Sequence, residues 1–247
     1  MLSEQRQEMI LKFLEEKRSI MVSELTELLD ISESTARRDI TVLDRAGKLV
    51  KVFGGAVAVE NNVLSREPTV AQKEEVCREE KMRIARYAAR LIRGEDFVYL
   101  DAGTTTGYIL DFLEETGATF VTNAVSHAQR LAARGIHVLL VGGTLKGSTE
   151  AVVGTTAALM LHDYHFTVGF FGANGVSRSA GFTTPDVNEA LVKKTAAGQC
   201  RKSYVLCDHT KFHVVSPVTF ARLSGKTILT DECPEEFRDV EGIVVCP

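Results

Sequence analysis

At 247 residues the chain is long enough to bury a sizeable core, as one large domain or as a small one joined to a medium one. Its 45% hydrophobic and 25% charged residues are ordinary for a folded soluble protein and exclude wholesale disorder, collagen-like repeats and coiled coil, while a net charge of -4 offers no whole-surface attraction for nucleic acid, so any DNA contact must be local. The first residues hold no apolar signal core and no segment approaches about 18 consecutive apolar residues, so neither export nor membrane insertion is expected; the five cysteines, odd in number and never in a C-x-x-C pair, are expected as reduced thiols of a cytoplasmic protein.

Residues 4–16 place Met9, Ile10, Phe13 and Leu14 at helical spacing behind Ser3, a candidate N-cap, with charges on the other face. Ser23 caps a short second helix carrying Leu25, Leu28 and Leu29, which Asp30-Ile31-Ser32 breaks. A third helix is predicted over 33–46, with Ala36, Ile40 and Leu43 as its apolar stripe and Gly47 as its left-handed end. Two β-prone runs, 49–53 and 56–59, flank Gly54-Gly55 and predict a hairpin. Three helices and a two-stranded wing thus fill 1–59. Residues 60–80, with Asn61-Asn62, Pro68 and a mixed charge run, read as a connector that becomes helical near Lys73.

Over 81–247, apolar runs at 97–100, 119–122, 137–141, 168–171, 204–207, 227–229 and 243–245 alternate with amphipathic helices, as a parallel sheet covered by helices requires. Small and polar residues follow nearly every run: Asp101-Ala102-Gly103-Thr104-Thr105-Thr106, Asn123, Gly142-Gly143-Thr144, Gly172-Ala173-Asn174-Gly175, Asp208-His209-Thr210-Lys211 and Thr230-Asp231. The carboxyl ends of the strands form the ligand crevice of an open α/β sheet, so this part is expected to hold a small molecule. The 101–106 turn passes from strand to helix, where backbone N–H groups, hydroxyls and the positive end of a helix dipole suit a phosphate. It lacks the Gly-Lys-Ser/Thr ending of a nucleotide-hydrolysing loop. Taken singly, each of these turns reads equally as a capped or tight turn with no ligand; their convergence on one edge favours the ligand. His162 and His165 have no nearby third ligand, so neither a metal nor another cofactor is expected.

Ser32-Glu33-Ser34-Thr35-Ala36-Arg37-Arg38-Asp39-Ile40, Gly54-Gly55-Ala56, the 101–106 turn, Thr122-Asn123, Gly142-Gly143 and Asp208-His209-Thr210-Lys211-Phe212 together resemble, in order and spacing, the DeoR family of bacterial regulators of sugar metabolism. The resemblance spans almost the whole chain. It implies an α/β protein with an N-terminal winged helix-turn-helix and a C-terminal parallel-sheet sensor similar in fold to ribose-5-phosphate isomerase. Ala36 and Phe53 stand where family members commonly carry Ile and His.

In a helix-turn-helix the start of the second helix reaches base edges, which here offers Ser34, Thr35, Arg37 and Arg38, with Lys51 on the wing. Adjacent helical residues diverge by about 100°, so one arginine reads a base while the other grips phosphate. Residues 33–53 carry five basic against three acidic side chains, a local surplus in an acidic chain. In the sensor, the candidate ligand residues are Asp101, Gly103, Thr104, Thr105, Thr106, Asn123, Gly142, Gly143, Gly172, Glu189, Lys193, Asp208 and Lys211. Glu189 and Lys193 share a helix face and by resemblance fall at the ligand rim; Lys211 can close on a phosphate, and Asp101 and Asp208 can accept hydroxyl hydrogen bonds. The reading is a homo-oligomeric repressor of a carbohydrate operon that binds operator DNA under control of a phosphorylated sugar. The alternative is a sugar-phosphate isomerase with an accessory head, against which stands the N-terminal reader that an isomerase does not need.

Overall fold

The computed structural model describes residues 3–17, 19–46, 48–52, 54–58 and 70–247, so Gly47, Phe53, Val59 and the connector residues 60–69 lie outside the described residues. The chain divides into two compact units, Met1–Asn62 and Val63–Pro247.

The smaller unit runs α1 (Ser3–Lys17), β1 (Ser19–Met21), α2 (Val22–Leu29), α3 (Glu33–Arg45), β2 (Leu49–Val52) and β3 (Gly55–Ala58). Ser3 is the first helical residue rather than the cap before it. Met21, not Ser23, precedes α2, and its N–H donates to the Glu24 carboxylate at 2.9 Å. Asp30, left-handed at φ 50°, ends that helix. Ser32 caps α3 by accepting from the Thr35 N–H at 3.3 Å. Ile10, Leu14, Leu25, Leu29, Ala36, Ile40 and Leu43 meet in one core, while Leu28 is exposed. The wing has three strands in the order β1-β3-β2, one more than the sequence pattern predicts, because three residues are too few to display an alternation. Gly54, at φ +81°, makes the turn, and a Cβ on Gly55 would lie 2.3 Å from the Ile20 carbonyl oxygen, so only glycine lets β1 close onto β3.

The larger unit runs α4 (Val70–Glu75), α5 (Arg78–Ala89), β4 (Phe97–Leu100), α6 (Thr104–Phe112), β5 (Thr119–Thr122), α7 (Val125–Ala133), β6 (Val138–Leu140), β7 (Thr144–Lys146), β8 (Ala151–Val153), α8 (Thr155–His162), β9 (Phe166–Gly172), β10 (Gly175–Ser177), β11 (Gly181–Thr184), α9 (Val187–Gly198), β12 (Cys200–Leu206), β13 (Val218–Ala221), β14 (Thr227–Thr230) and β15 (Ile243–Val245). The connector, expected to become helical near Lys73, is helical from Val70, three residues earlier. The seven predicted apolar runs form one parallel sheet in the order β15-β14-β12-β9-β4-β5-β6. β9 and β12 start earlier than predicted, where Thr167, Arg201 and Lys202 interrupt the apolar pattern. Along the strands, Tyr99, Phe171 and Val205 enter one core and Val98, Leu100, Phe170 and Leu206 the other, so both sheet faces are buried. The strand order reverses between β4 and β9, and the ends of these two strands open the crevice. Among the described residues, no helix is long and apolar enough to cross a membrane.

Candidate functional site

The crevice forms where β4 and β9 part. Asp101, fully buried at the end of β4, accepts from the Gly172 N–H at 3.0 Å and from Lys193, whose ammonium also donates to the Gly172 carbonyl at 3.1 Å. This buried pair ties α9 across the switch point. Burial pushes the Asp101 carboxyl up, and the Lys193 ammonium beside it opposes that rise. α6 then starts at Thr104, and its N-cap Gly103 has no side chain to cap the first amides. Gly103, Thr104 and Thr105 line the crevice, so the N-terminal end of the helix dipole opens into it.

Opposite stand Asp208 and Lys211. His209 turns away, its Nδ1 2.6 Å from Asp231, and that carboxylate raises the affinity of the imidazole for a proton. Asp208 bonds Thr210 through Oδ1, whereas its Oδ2 is buried with no hydrogen-bond partner among the described residues and lies 4.0 Å from the Lys211 ammonium. Asp101 Oδ1 is likewise buried without a hydrogen-bond partner among the described residues. Buried carboxylate oxygens are costly when unpaired, and a hydroxyl group of a bound molecule would satisfy that of Asp208, which lines the crevice.

The predicted residues Gly103, Thr104, Thr105, Gly172, Glu189, Lys193, Asp208 and Lys211 therefore meet around one space, and Asp101, buried behind the lining, is bonded to Gly172 and Lys193. Glu189 and Lys193 share a helix face but do not pair with each other. Glu189 instead accepts from Lys146 at 3.1 Å, Thr149 at 2.8 Å and Thr184 at 3.3 Å. Five predicted residues do not line the crevice, fully buried Asp101 among them. Thr106 spends its hydroxyl on the Asp101 and Gly103 carbonyls, at 2.8 and 3.0 Å, and so shapes the turn. Asn123 accepts from the Ala102 N–H at 2.9 Å and donates to the Val152 carbonyl at 3.2 Å, bracing the turn from behind. Gly142 and Gly143 are exposed, two strands from the switch point, and lead into the β7–β8 hairpin.

Thr149, Asn174, Lys73 and Lys81 line the crevice and were not singled out from sequence. For Lys81 a signal exists: it precedes Ile84, Ala85 and Ala88 at helical spacing, a lysine on an otherwise apolar stripe. It is only 2% exposed; burial lowers its proton affinity while nearby Asp208 raises it. With Lys193 paired to Asp101 and Lys146 to Glu189, Lys73, Lys81 and Lys211 outweigh Asp208, and the space favours an anion. Among the described residues, no group of three His, Cys, Asp or Glu side chains is placed to hold a metal ion.

In the smaller unit, Ser34 and Thr35 hold their hydroxyls 2.9 Å from Ser32 Oγ. Arg37 pairs with Glu33 at 3.1 Å, and Arg38 is exposed with no ion pair among the described residues. Lys51 lies 2.9 Å from Thr41 Oγ1, which links the wing to α3. Asp39, nearly buried, is held by Arg6, with Nη2 at 3.1 Å, so it locks α1 against α3 and does not face a partner. Ala36 is fully buried in the core; Phe53 lies outside the described residues.

Family profiles match this arrangement twice: a DeoR-like helix-turn-helix domain over residues 6–62 and a DeoR C terminal sensor domain over residues 76–232. The uncharacterized HTH-type transcriptional regulator FruR of Bacillus subtilis is 38% identical over 95% of this chain and 93% of its own length. The lactose phosphotransferase system repressor of Streptococcus mutans is 31% identical over 96% of this chain and 94% of its own. Ribose 5-phosphate isomerase A of Methanocaldococcus jannaschii superimposes with a TM-score of 0.42 at 15% identity, over 55% of this chain and 54% of that one.

Proposed function

We propose, from the premise that this chain belongs to the DeoR family of HTH-type transcriptional regulators, that it represses a carbohydrate operon and answers to a phosphorylated sugar in its crevice. Regulation of transcription, not isomerisation, is the activity its relatives carry over nearly their full lengths. The observation that carries the ligand class is one space that offers both halves of a sugar phosphate a partner. The open N-terminus of α6, with Lys81 and Lys211, suits the phosphate, and the carboxylate oxygen of Asp208 that lacks a partner among the described residues suits a hydroxyl group. Gly103, Thr104, Thr105, Gly172, Lys193, Asp208 and Lys211 form this binding set, with Asp101 and Glu189 as its braces. We place the protein in the cytoplasm, as a homo-oligomer whose paired heads meet the two half-sites of an operator through Ser34, Thr35, Arg37, Arg38 and Lys51.

The test is thermal melting with fructose 1-phosphate, fructose 6-phosphate, glucose 6-phosphate, the parent sugars and inorganic phosphate. One sugar phosphate at about 100 times its Kd should raise Tm by roughly 5–10 °C and change operator affinity, with the parent sugar inert and inorganic phosphate weaker. Thr105→Glu, which sets a carboxylate in the anion's place, should abolish the response. If no phosphorylated sugar moves either Tm or operator affinity, this reading of the crevice is wrong.

A further inference from the structure

We propose that His209 and Asp231 are positioning residues of the crevice: together they clamp the turn that carries Asp208 and Lys211 and so set the aim of both side chains at a bound sugar phosphate. The inference rests on the crevice taking a phosphorylated ligand, and it names two residues on which the geometry of that site depends although neither lines it.

The turn after β12 is short. Residues His209–Lys211 make a single turn of 3-10 helix, capped by Asp208, whose Oδ1 accepts from the Thr210 N–H at 3.1 Å. That cap fixes Asp208 within the turn; Asp231, the residue after β14, ties the turn to the sheet. Its Oδ1 accepts from the His209 N–H at 2.8 Å, and its Oδ2 lies 2.6 Å from His209 Nδ1. An ionised carboxylate only accepts, so Nδ1 carries the proton of that second bond. One carboxylate therefore holds both the backbone and the side chain of one residue, which fixes orientation as well as position. β14 lies beside β12 in the sheet, with Leu206 opposite Leu229, so the clamp joins neighbouring strand ends. The Asp231 carboxylate is nearly buried while the imidazole is half-exposed, and removing the imidazole would leave a buried oxygen short of its partner.

The far end of the turn has fastenings of its own. Phe212 is buried, meets the buried ring of Phe237 edge-on with centroids 4.9 Å apart, and forms a bridge with Val176 of β10. With these in place, cutting the imidazole bond leaves the turn attached and loosens its first residues. The residues that feel this in the crevice are Asp208 and Lys211, which stand on either side of His209 and Thr210. The geometry also accounts for a histidine inside the run Asp208-His209-Thr210-Lys211: its ring turns from the crevice because its partner is Asp231.

The test uses full-length wild type, His209→Ala and His209→Asn, titrated calorimetrically with fructose 1-phosphate, fructose 6-phosphate and glucose 6-phosphate. For the sugar phosphate that binds wild type, His209→Ala should raise Kd about tenfold, the worth of one hydrogen bond to a charged group. His209→Asn, whose amide nitrogen is as many bonds from Cα as Nδ1 is, should stay within about twofold of wild type. In a Lys211→Met background His209→Ala should cost only about threefold more, because a positioning residue has less to position; damage elsewhere would cost the full factor again. Amide hydrogen exchange over residues 208–212 reads the clamp with no ligand present, and it should be several-fold faster in His209→Ala and near wild type in His209→Asn. A sugar phosphate that binds wild type and His209→Ala equally overturns the positioning role and spares the crevice, as does His209→Asn behaving like His209→Ala or a full tenfold loss in the Lys211→Met background. Equal exchange in His209→Ala and wild type overturns the clamp itself. If none of the three sugar phosphates binds wild type, the crevice reading falls and takes the positioning role with it.

Discussion

Arg37 and Arg38 are neighbours in sequence and differ in circumstance. The Arg37 guanidinium is engaged by Glu33 one turn earlier, an exposed pair worth about 0.3–0.5 kcal/mol, and it must leave that partner to reach DNA. Arg38 has no such tie among the described residues, so we propose it as the base reader of the two. Arg38→Ala should cost about 1–3 kcal/mol of operator affinity and relax base preference at one position. Arg37→Ala should weaken binding evenly across sequences and lower the salt slope by about 1. Titrations on the operator and its single-base variants over a range of salt separate the two; wild-type behaviour in both variants would displace α3 from the groove. A second residue-scale expectation concerns His127, which packs against α6 and is buried with Nδ1 unpartnered. Burial, reinforced by Arg130, pushes its pKa down to about 4. Because the unfolded chain then binds a proton that the folded protein refuses, stability falls as pH drops below about 6.5, by roughly 2 kcal/mol between pH 7 and pH 5. Denaturant unfolding should show that part of the acid loss in wild type and its absence in His127→Leu.

Elements depend on their ends. Ser32 caps α3, and its Oγ meets the Thr35 N–H and the hydroxyls of Ser34 and Thr35, so the cap and the proposed DNA-facing turn are one piece of structure. Ser32→Ala should destabilise the smaller unit by about 1 kcal/mol, visible as a lower melting temperature for that unit, and should weaken operator binding without removing any charge. An unchanged melt would mean that water replaces the cap at no cost. α6 begins the opposite way, with no side chain on its first amides, and that open end is what makes its N-terminus available to an anion. Thr106, buried one turn in, holds the turn open by bonding two carbonyls that precede it.

Across the whole molecule, the two units own separate apolar cores, one built around Ile10, Leu25 and Ile40 and the others on the two faces of the seven-stranded sheet. A fragment of residues 63–247 should therefore fold, keep the melting response to the sugar phosphate and lose operator affinity. Circular dichroism, melting and operator titration check this, and an unfolded fragment would show that the larger unit needs the smaller one. Sedimentation of the same fragment and of the full chain tells whether the proposed homo-oligomer assembles through the larger unit.

Local regularities in the chain carried much of this. The 3.6-residue spacing of Met9, Ile10, Phe13 and Leu14, the seven apolar runs and the polar turns after them are properties of adjacent residues, so α1, the parallel sheet and the turn into α6 were legible before any contact was known. Three-residue strands such as β1 were not, because their pairing with a distant partner, and not their own pattern, makes them strands. Neither was the division of labour at the sheet edge. Asn123 and Gly142-Gly143 follow strands just as Asp101 and Gly172 do, yet only the β4–β9 pair lies at the point where strand order reverses, while Asn123 is covered by β8, with the Val152 N–H donating to its carbonyl at 2.7 Å. Lys193 meets Asp101 across 92 residues, and Lys81 reaches back to Lys73 from a buried stripe. Which charged groups are paired, orphaned or left to a ligand was settled by tertiary structure alone, because burial and the choice of partner depend on what the rest of the chain brings to the same place.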